Sequence, residues 1–324
     1  MKKLFLILLI APVFGFGQGE QRYADGTATD QDGNTFEWIN YGTQDWAIEN
    51  AEVLTYRDGT PIPQVTDATE WSNLTTGAWC YYDNDSTKGK LYNWYAVKGI
   101  HDNDENTPNK EFAPNGWHVP SDAEWTTLEE YLIANGYNYD GTTTGNKIAK
   151  AVASTTGWNS STNTGAIGND QSLNNKSGFN AFPEGYRDYY GQFNRHGLGT
   201  YYLSSTEYNS DKALWRTPYY VNSHLSRNSG NKRDGYSLRF VRDASTATTK
   251  DYSDAITIYP NPTTSIINIE QDFTTAKVYD ISGRELLKST SKTIDLSELP
   301  SSIYLLRLYD DSIRVLGTSK VVKQ

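Results

Sequence analysis

All nine tryptophans of the 324-residue chain lie before residue 244, and none follows. A chain whose largest apolar side chains stop so abruptly builds two cores of different kinds, and its length suffices for both. The boundary falls at 244–253, ASTATTKDYS, a small polar stretch that reads as a linker. Downstream, residues 254–324 run in short β-branched segments such as ITIYP, IINIE, AKVYD and YLLRLY. These are 4–8 residues long and separated by turn pairs such as Asn261-Pro262 and Ser282-Gly283, which predicts a small all-β sandwich.

The N-terminus, MKKLFLILLIAPVFGFGQ, has a basic start at Lys2 and Lys3, an apolar run and a small-residue end. This is the pattern of a secretory signal peptide over residues 1–17. The run is short of the roughly 20 residues of a membrane span, and no later stretch is long and apolar enough to predict one. The formal charge is −10, and losing Lys2 and Lys3 takes it to −12. An acidic surface repels phosphate backbones, so nucleic acid is not an expected partner. The tail carries eight Lys and Arg against nine acids, so the negative charge belongs to residues 18–243. Cys80 is the single cysteine and sits among aromatics in TGAWCYYDND, the setting of a buried thiol.

Before the linker, long periodic segments are few, which suggests short strands and turns around one or two helices, an α+β layout. One helix is clearly signalled. Ser121-Asp122-Ala123-Glu124 forms a capping-box pattern after Pro120, and Trp125, Leu128 and Leu132 follow at i, i+3, i+7. Glu124 and Glu130 would point about 120° apart on that helix, too divergent for a shared acid/base role. The strip Asn115–Leu132 therefore reads as scaffold.

Two resemblances sharpen the layout. YPNPTTSIINIE, VYDISGREL, IDLSELPSSIYLLRL and the terminal KVVKQ are similar to the type A C-terminal sorting domain of the type IX secretion system of Bacteroidetes. Ser302 stands where such tails usually carry Gly. That likeness implies secretion or display at the cell surface, with the type IX machinery as a partner. TDQDGNTFEW, GWHVPSDAEW, LYNWYAV, SGFNAFPEGYRD, YLSSTEY and GYSLRFVRD resemble the Fibrobacter succinogenes major paralogous domain, in the family's order across residues 18–243. More distantly, VP-x-x-AEW and the closing VRD strand look like those of formylglycine-generating enzymes, which implies a C-type-lectin-like fold. The chemistry of that group needs a reactive cysteine pair, and this chain has only Cys80.

No nucleophile elbow, HExxH, P-loop or dinucleotide fingerprint occurs, and His101, His118, His196 and His224 are scattered. HDNDEN, with Asp102, Asp104 and Glu105, is rich in oxygens and reads either as a solvated turn or as a calcium-stabilised loop. The sugar-binding calcium triplets EPN, QPD and WND are absent. Between Gly185 and Tyr220, Tyr186, Arg187, Tyr189, Tyr190, Trp215 and Arg216 interleave aromatic and polar groups. A sugar site needs such a stacking face with a hydrogen-bonding edge, and packing in the core is the competing explanation. The expected function is a non-catalytic binding or adhesion module for polysaccharide or a surface protein. The alternatives are an enzyme distantly related to the formylglycine-generating group and a purely structural envelope component.

Overall fold

The structure is a computed structural model that describes residues 22–244, 256–280, 284–309 and 315–324. The signal-peptide and most linker positions lie outside these residues. The chain divides into two compact units, Met1–Ala244 and Ser245–Gln324.

The first unit is built mostly of short strands in several small sheets, which overturns the expected α+β, C-type-lectin-like fold. Strands β1 (Gly26–Thr29), β2 (Thr35–Tyr41) and β3 (Gln44–Ala47) form an antiparallel sheet, closed on its far side by β11 (Val241–Asp243). β4 (Trp79–Tyr81) pairs with β5 (Lys90–Tyr92), and β6 (Tyr186–Arg187) with β7 (Phe193–Asn194). β8 (Tyr202–Glu207), β9 (Lys212–Pro218) and β10 (Leu225–Asn231) make a three-stranded sheet in the order β10-β9-β8. Helices are subordinate: α1 (Ala68–Ser72), α2 (Trp94–Val97) and α4 (Ala149–Val152) are four or five residues long. Among the described residues, only α3 (Asp122–Ala134), with 13 residues, exceeds two turns. The reason is local. Helical spacing is sustained only after Ser121, whereas elsewhere left-handed Gly and Asn residues break the chain every few positions.

The capping box of α3 is formed as predicted. The Ser121 amide donates to Glu124 Oε2 at 2.7 Å, and Glu124 N donates back to Ser121 Oγ at 3.2 Å. The buried stripe Trp125, Leu128 and Leu132 enters one core with Ile39, Trp46, Phe179 and Tyr202. The Trp46 and Trp125 ring centroids stand 4.6 Å apart. Each such fully buried side chain contributes about 1.5–3 kcal/mol. A neighbouring core gathers Phe36, Tyr92, Trp117 and Phe240.

The GYSLRFVRD segment differs from a simple alternation. Leu238, Phe240 and Val241 are buried, but so is Arg239, which donates to the carbonyls of Ala47 and Asn180 and to the Tyr202 hydroxyl. Arg242 pairs with Asp45 at 3.0 Å, and its guanidinium lies against the Trp38 and Trp117 rings.

In the second unit, β12 (Ile258–Tyr259), β13 (Ile266–Ile269) and β16 (Thr293–Asp295) form one sheet, in the order β12-β13-β16. The other runs β15-β14-β17-β18, from β14 (Thr275–Tyr279), β15 (Glu285–Ser289), β17 (Ser302–Tyr309) and β18 (Val315–Lys323). Both sheets supply one core, with Ile267 and Ile269 from the first and Val278, Leu306 and Leu308 from the second. The period-2 pattern puts alternate residues inside, as a two-layer sandwich requires.

Candidate functional site

The β6–β7 hairpin presents Tyr189 and Tyr190 at its tip. Asp188 shapes the turn by accepting from the amides of Tyr190 at 3.0 Å and Gln192 at 2.8 Å, and from the Asn194 side chain at 3.0 Å. The two tyrosine rings lie 4.0 Å apart, and Tyr190 is 63% exposed. Strand alternation then sends Tyr186 toward the surface and Arg187 inward.

Beyond the hairpin, Tyr186 meets Tyr201 at 4.7 Å, and Tyr201 meets Trp215 of β9 at 5.2 Å. Tyr236 stacks on Tyr201 at 6.0 Å and completes the cluster. Tyr186 and Trp215 are partly exposed, while Tyr201 and Tyr236 are buried beneath them. Gly230 on β10 is what lets these groups converge. A Cβ there would collide with the Tyr236 hydroxyl and lie 2.7 Å from Asp234 Oδ2 and 2.9 Å from Trp215 Nε1. Trp215 Nε1 is buried and has no partner among the described residues.

Arg233 and Arg195 supply the polar edge, with Asp234 buried beside the cluster. Asp234 Oδ2 accepts from the Tyr236 hydroxyl and the Asn231 amide, both at 2.8 Å. Burial pushes its carboxyl up to about 6, against the pull of those hydrogen bonds. The Arg233 guanidinium sits 5.6 Å from the Tyr189 ring centre, and Arg195 donates to the Tyr219 hydroxyl at 3.0 Å.

Of the six residues predicted for this site, Tyr186 and Trp215 join the cluster around Tyr201 and Tyr236, while Tyr189 and Tyr190 pair with each other at the hairpin tip. The other two are scaffold. Arg187 is 1% exposed, donates to the carbonyls of Val65, Thr66 and Gly191, and lies over Trp71 at 4.4 Å. Arg216, equally buried, pairs with Glu129 at 2.6 Å and with Asp122, which also receives Arg227 at 2.9 Å. Buried charges survive only when paired or fully hydrogen-bonded, and both arginines meet that condition by tying distant segments together. Sequence reasoning missed Tyr201, Tyr236 and Asp234. The aromatic density around them was the available signal.

The calcium reading of the HDNDEN loop finds no geometry to match. Asp102 Oδ1 accepts from the Asp104 amide at 3.0 Å, and Asp104 Oδ1 from the Asn106 amide at 2.9 Å, as in ordinary Asx turns. Among the described residues, no three His, Cys, Asp or Glu side chains gather so as to hold a metal, Asp102, Asp104 and Glu105 included. Cys80 is buried, and that burial pushes its thiol up to about 11.

A domain of small sheets with an aromatic surface, followed by a β-sandwich tail, is the class these observations define. The chain belongs to the Fibrobacter succinogenes major domain family, whose model matches residues 39–242. Residues 257–324 match the secretion system C-terminal sorting domain. The protein is thus one secreted or displayed at the cell surface, and its tail engages the type IX secretion machinery. No described helix is long and apolar enough to cross a membrane. No curated protein matches the chain. A matching solved structure is PorZ of Porphyromonas gingivalis, described as an essential bacterial surface component of the type-IX secretion system. It is 16% identical over 36% of this chain and 16% of its own, with a TM-score of 0.19, a likeness that carries no argument.

Proposed function

We propose that the first unit is a non-catalytic module that binds polysaccharide outside the cell through the face formed by Tyr186, Tyr189, Tyr190 and Trp215. The observation that carries this reading is the partly exposed ring pair at the hairpin tip beside the Tyr186–Tyr201–Trp215 cluster, edged by Arg233 and Arg195. Sugars present flat apolar faces and peripheral hydroxyls, and tyrosine and tryptophan meet both demands with little conformational freedom to lose. The lone thiol is buried and held protonated, which supports a binding role over cysteine chemistry.

The test is glycan-array binding by the purified protein, with Tyr190→Ala and Trp215→Phe as variants. Signals on a defined set of polysaccharides that fade in the variants, with unfolding temperature unchanged, support the reading. A silent array, or binding indifferent to both changes, removes it.

A further inference from the structure

A second concave region has none of Tyr186, Tyr189, Tyr190 and Trp215 in its lining. Two cavities share Phe182, a residue 42% exposed, in their linings. The larger, of about 390 Å³, is lined by Phe36, Glu49, Asn50, Glu52 and Arg239 among others. The smaller, of about 320 Å³, includes Tyr82, Lys88, Gly89 and His196. Phe182 and Glu184 wall both. Each volume falls in the range of small-molecule sites.

The polar groups of the larger cavity are not all spent on the fold. Asp30 accepts from the amides of Asp32 and Asn34, Glu49 from that of Glu37, and Glu52 pairs with Lys90. Glu184 holds no backbone amide and no cation among these contacts. Its Oε2 accepts from Asn50 Nδ2 at 3.1 Å, and among the described residues no ion pair engages it. Burial holds its carboxyl above the usual range, with the Arg239 charge opposing. Asn50 Oδ1 and Arg239 Nε are buried without partners among the described residues. Arg239 itself is 2% exposed. One orphaned acceptor, one orphaned donor and a carboxyl without a cation thus belong to three residues that line a single cavity. Gly89, on the smaller cavity, leaves room for the carboxylate, since a Cβ there would collide with Glu184 Oε2.

We propose that the two cavities form a subsite for an uncharged oligosaccharide, with Phe182 as the stacking face and Glu184, Asn50 and Arg239 as the hydrogen-bonding edge. A hydroxyl is both donor and acceptor, so adjacent hydroxyls can serve the carboxyl, the amide oxygen and the guanidinium together. The charge class follows from the lining. Asp30, Glu49, Glu52 and Glu184 outnumber Arg239 on the larger cavity, which disfavours uronic or sulfated sugars. The proposal rests on the polysaccharide reading and adds to it a location and a selectivity.

Calorimetric titration of the whole protein with cellotetraose, mannotetraose and N-acetylchitotetraose tests it, with tetragalacturonate as the charged comparison. At least one neutral probe binds, and Phe182→Ala and Glu184→Gln each weaken it by about tenfold or more. Gly89→Ser displaces the carboxyl without removing it and gives a similar loss. Tetragalacturonate binds far more weakly than the neutral probe. Glu184→Gln keeps shape and volume, so it carries the test should Phe182→Ala fold poorly. Unchanged affinity in Glu184→Gln and Gly89→Ser overturns the subsite, as does equal binding of tetragalacturonate. If Tyr190→Ala alone weakens the neutral probe, the aromatic face binds sugar and the subsite does not. Silence of all three neutral probes while the glycan array is positive also overturns the subsite alone. Silence in both assays removes both readings.

Discussion

The imidazole Nε2 of His118 lies 2.5 Å from Glu124 Oε1, while Glu124 Oε2 receives both the amide and the hydroxyl of Ser121. One carboxylate thus joins the extended segment before α3 to the cap that starts the helix. The Glu124 hydrogen bond raises the pKa of His118 above 6.5, with burial opposing. Burial would raise that of Glu124, but the bonds from His118 and Ser121 outweigh it and hold the carboxyl below 4.5.

The pH dependence follows from these directions. His118 binds its proton more tightly when folded, so its contribution is complete below pH 6.5 and is lost as pH rises through the higher folded value. Glu124 contributes above pH 4.5 and loses that contribution as pH falls through its lower folded value. Unfolding temperatures of the protein and of His118→Gln, measured from about pH 5 to about pH 9, should converge at the alkaline end. A gap between the two that stays constant with pH would refute the linkage.

Arg216 should matter for folding well before it matters for any ligand. Arg216→Ala leaves Asp122 and Glu129 without their buried partner and costs about 3–5 kcal/mol. Urea unfolding reads the loss directly. A variant of near-normal stability with impaired glycan binding would return Arg216 to the binding face.

Gly230→Ala tests how tightly the aromatic face is assembled. The new methyl meets the Tyr236 hydroxyl, Asp234 Oδ2 and Trp215 Nε1, and overpacking of this kind costs about 1–3 kcal/mol. The tryptophan region of the near-ultraviolet circular dichroism spectrum should change with it. An unaltered spectrum and melting temperature would mean that the three groups have more room than the backbone allows.

The sandwich tail has its own core, so its damage should stay local. Leu306→Ala empties a fully buried position on β17 and costs about 2–5 kcal/mol. Scanning calorimetry of the whole protein should show the transition of residues 256–324 shifted and that of the first unit unmoved. A joint shift would show the two units unfolding together.

How far the sequence spoke depended on the range of the interactions. The α3 cap and its stripe were legible because Ser121, Glu124, Trp125, Leu128 and Leu132 interact with close neighbours. The tail was legible because its short runs between turns show part of the strand alternation, as in Ile267 and Ile269. Arg187 and Arg216 were misplaced because their partners are remote: Val65 and Thr66 for one, Asp122 and Glu129 for the other. Nothing in the local pattern distinguishes an arginine that clamps a distant loop from one that edges a ligand site. The fold class failed for a related reason, since one well-signalled helix and a few shared motifs said little about how many short strands surround them. Glu184 was overlooked because its partner Asn50 lies 134 residues away in the chain, and its place on the cavity wall shows only in the fold.

Strand β11, which closes the first sheet, pairs Val241 with Trp46 and Asp243 with Gln44. A ribosome making this chain delivers β3 early and β11 only after almost the whole domain has emerged. Until then the sheet keeps an open edge and Arg242 has not reached Trp38 and Trp117. Completion is thereby timed to the end of the domain, since pairings this distant in sequence form slowly. For a protein destined to leave the cell, that delay is an interval in which transport and folding compete for the same unfinished chain.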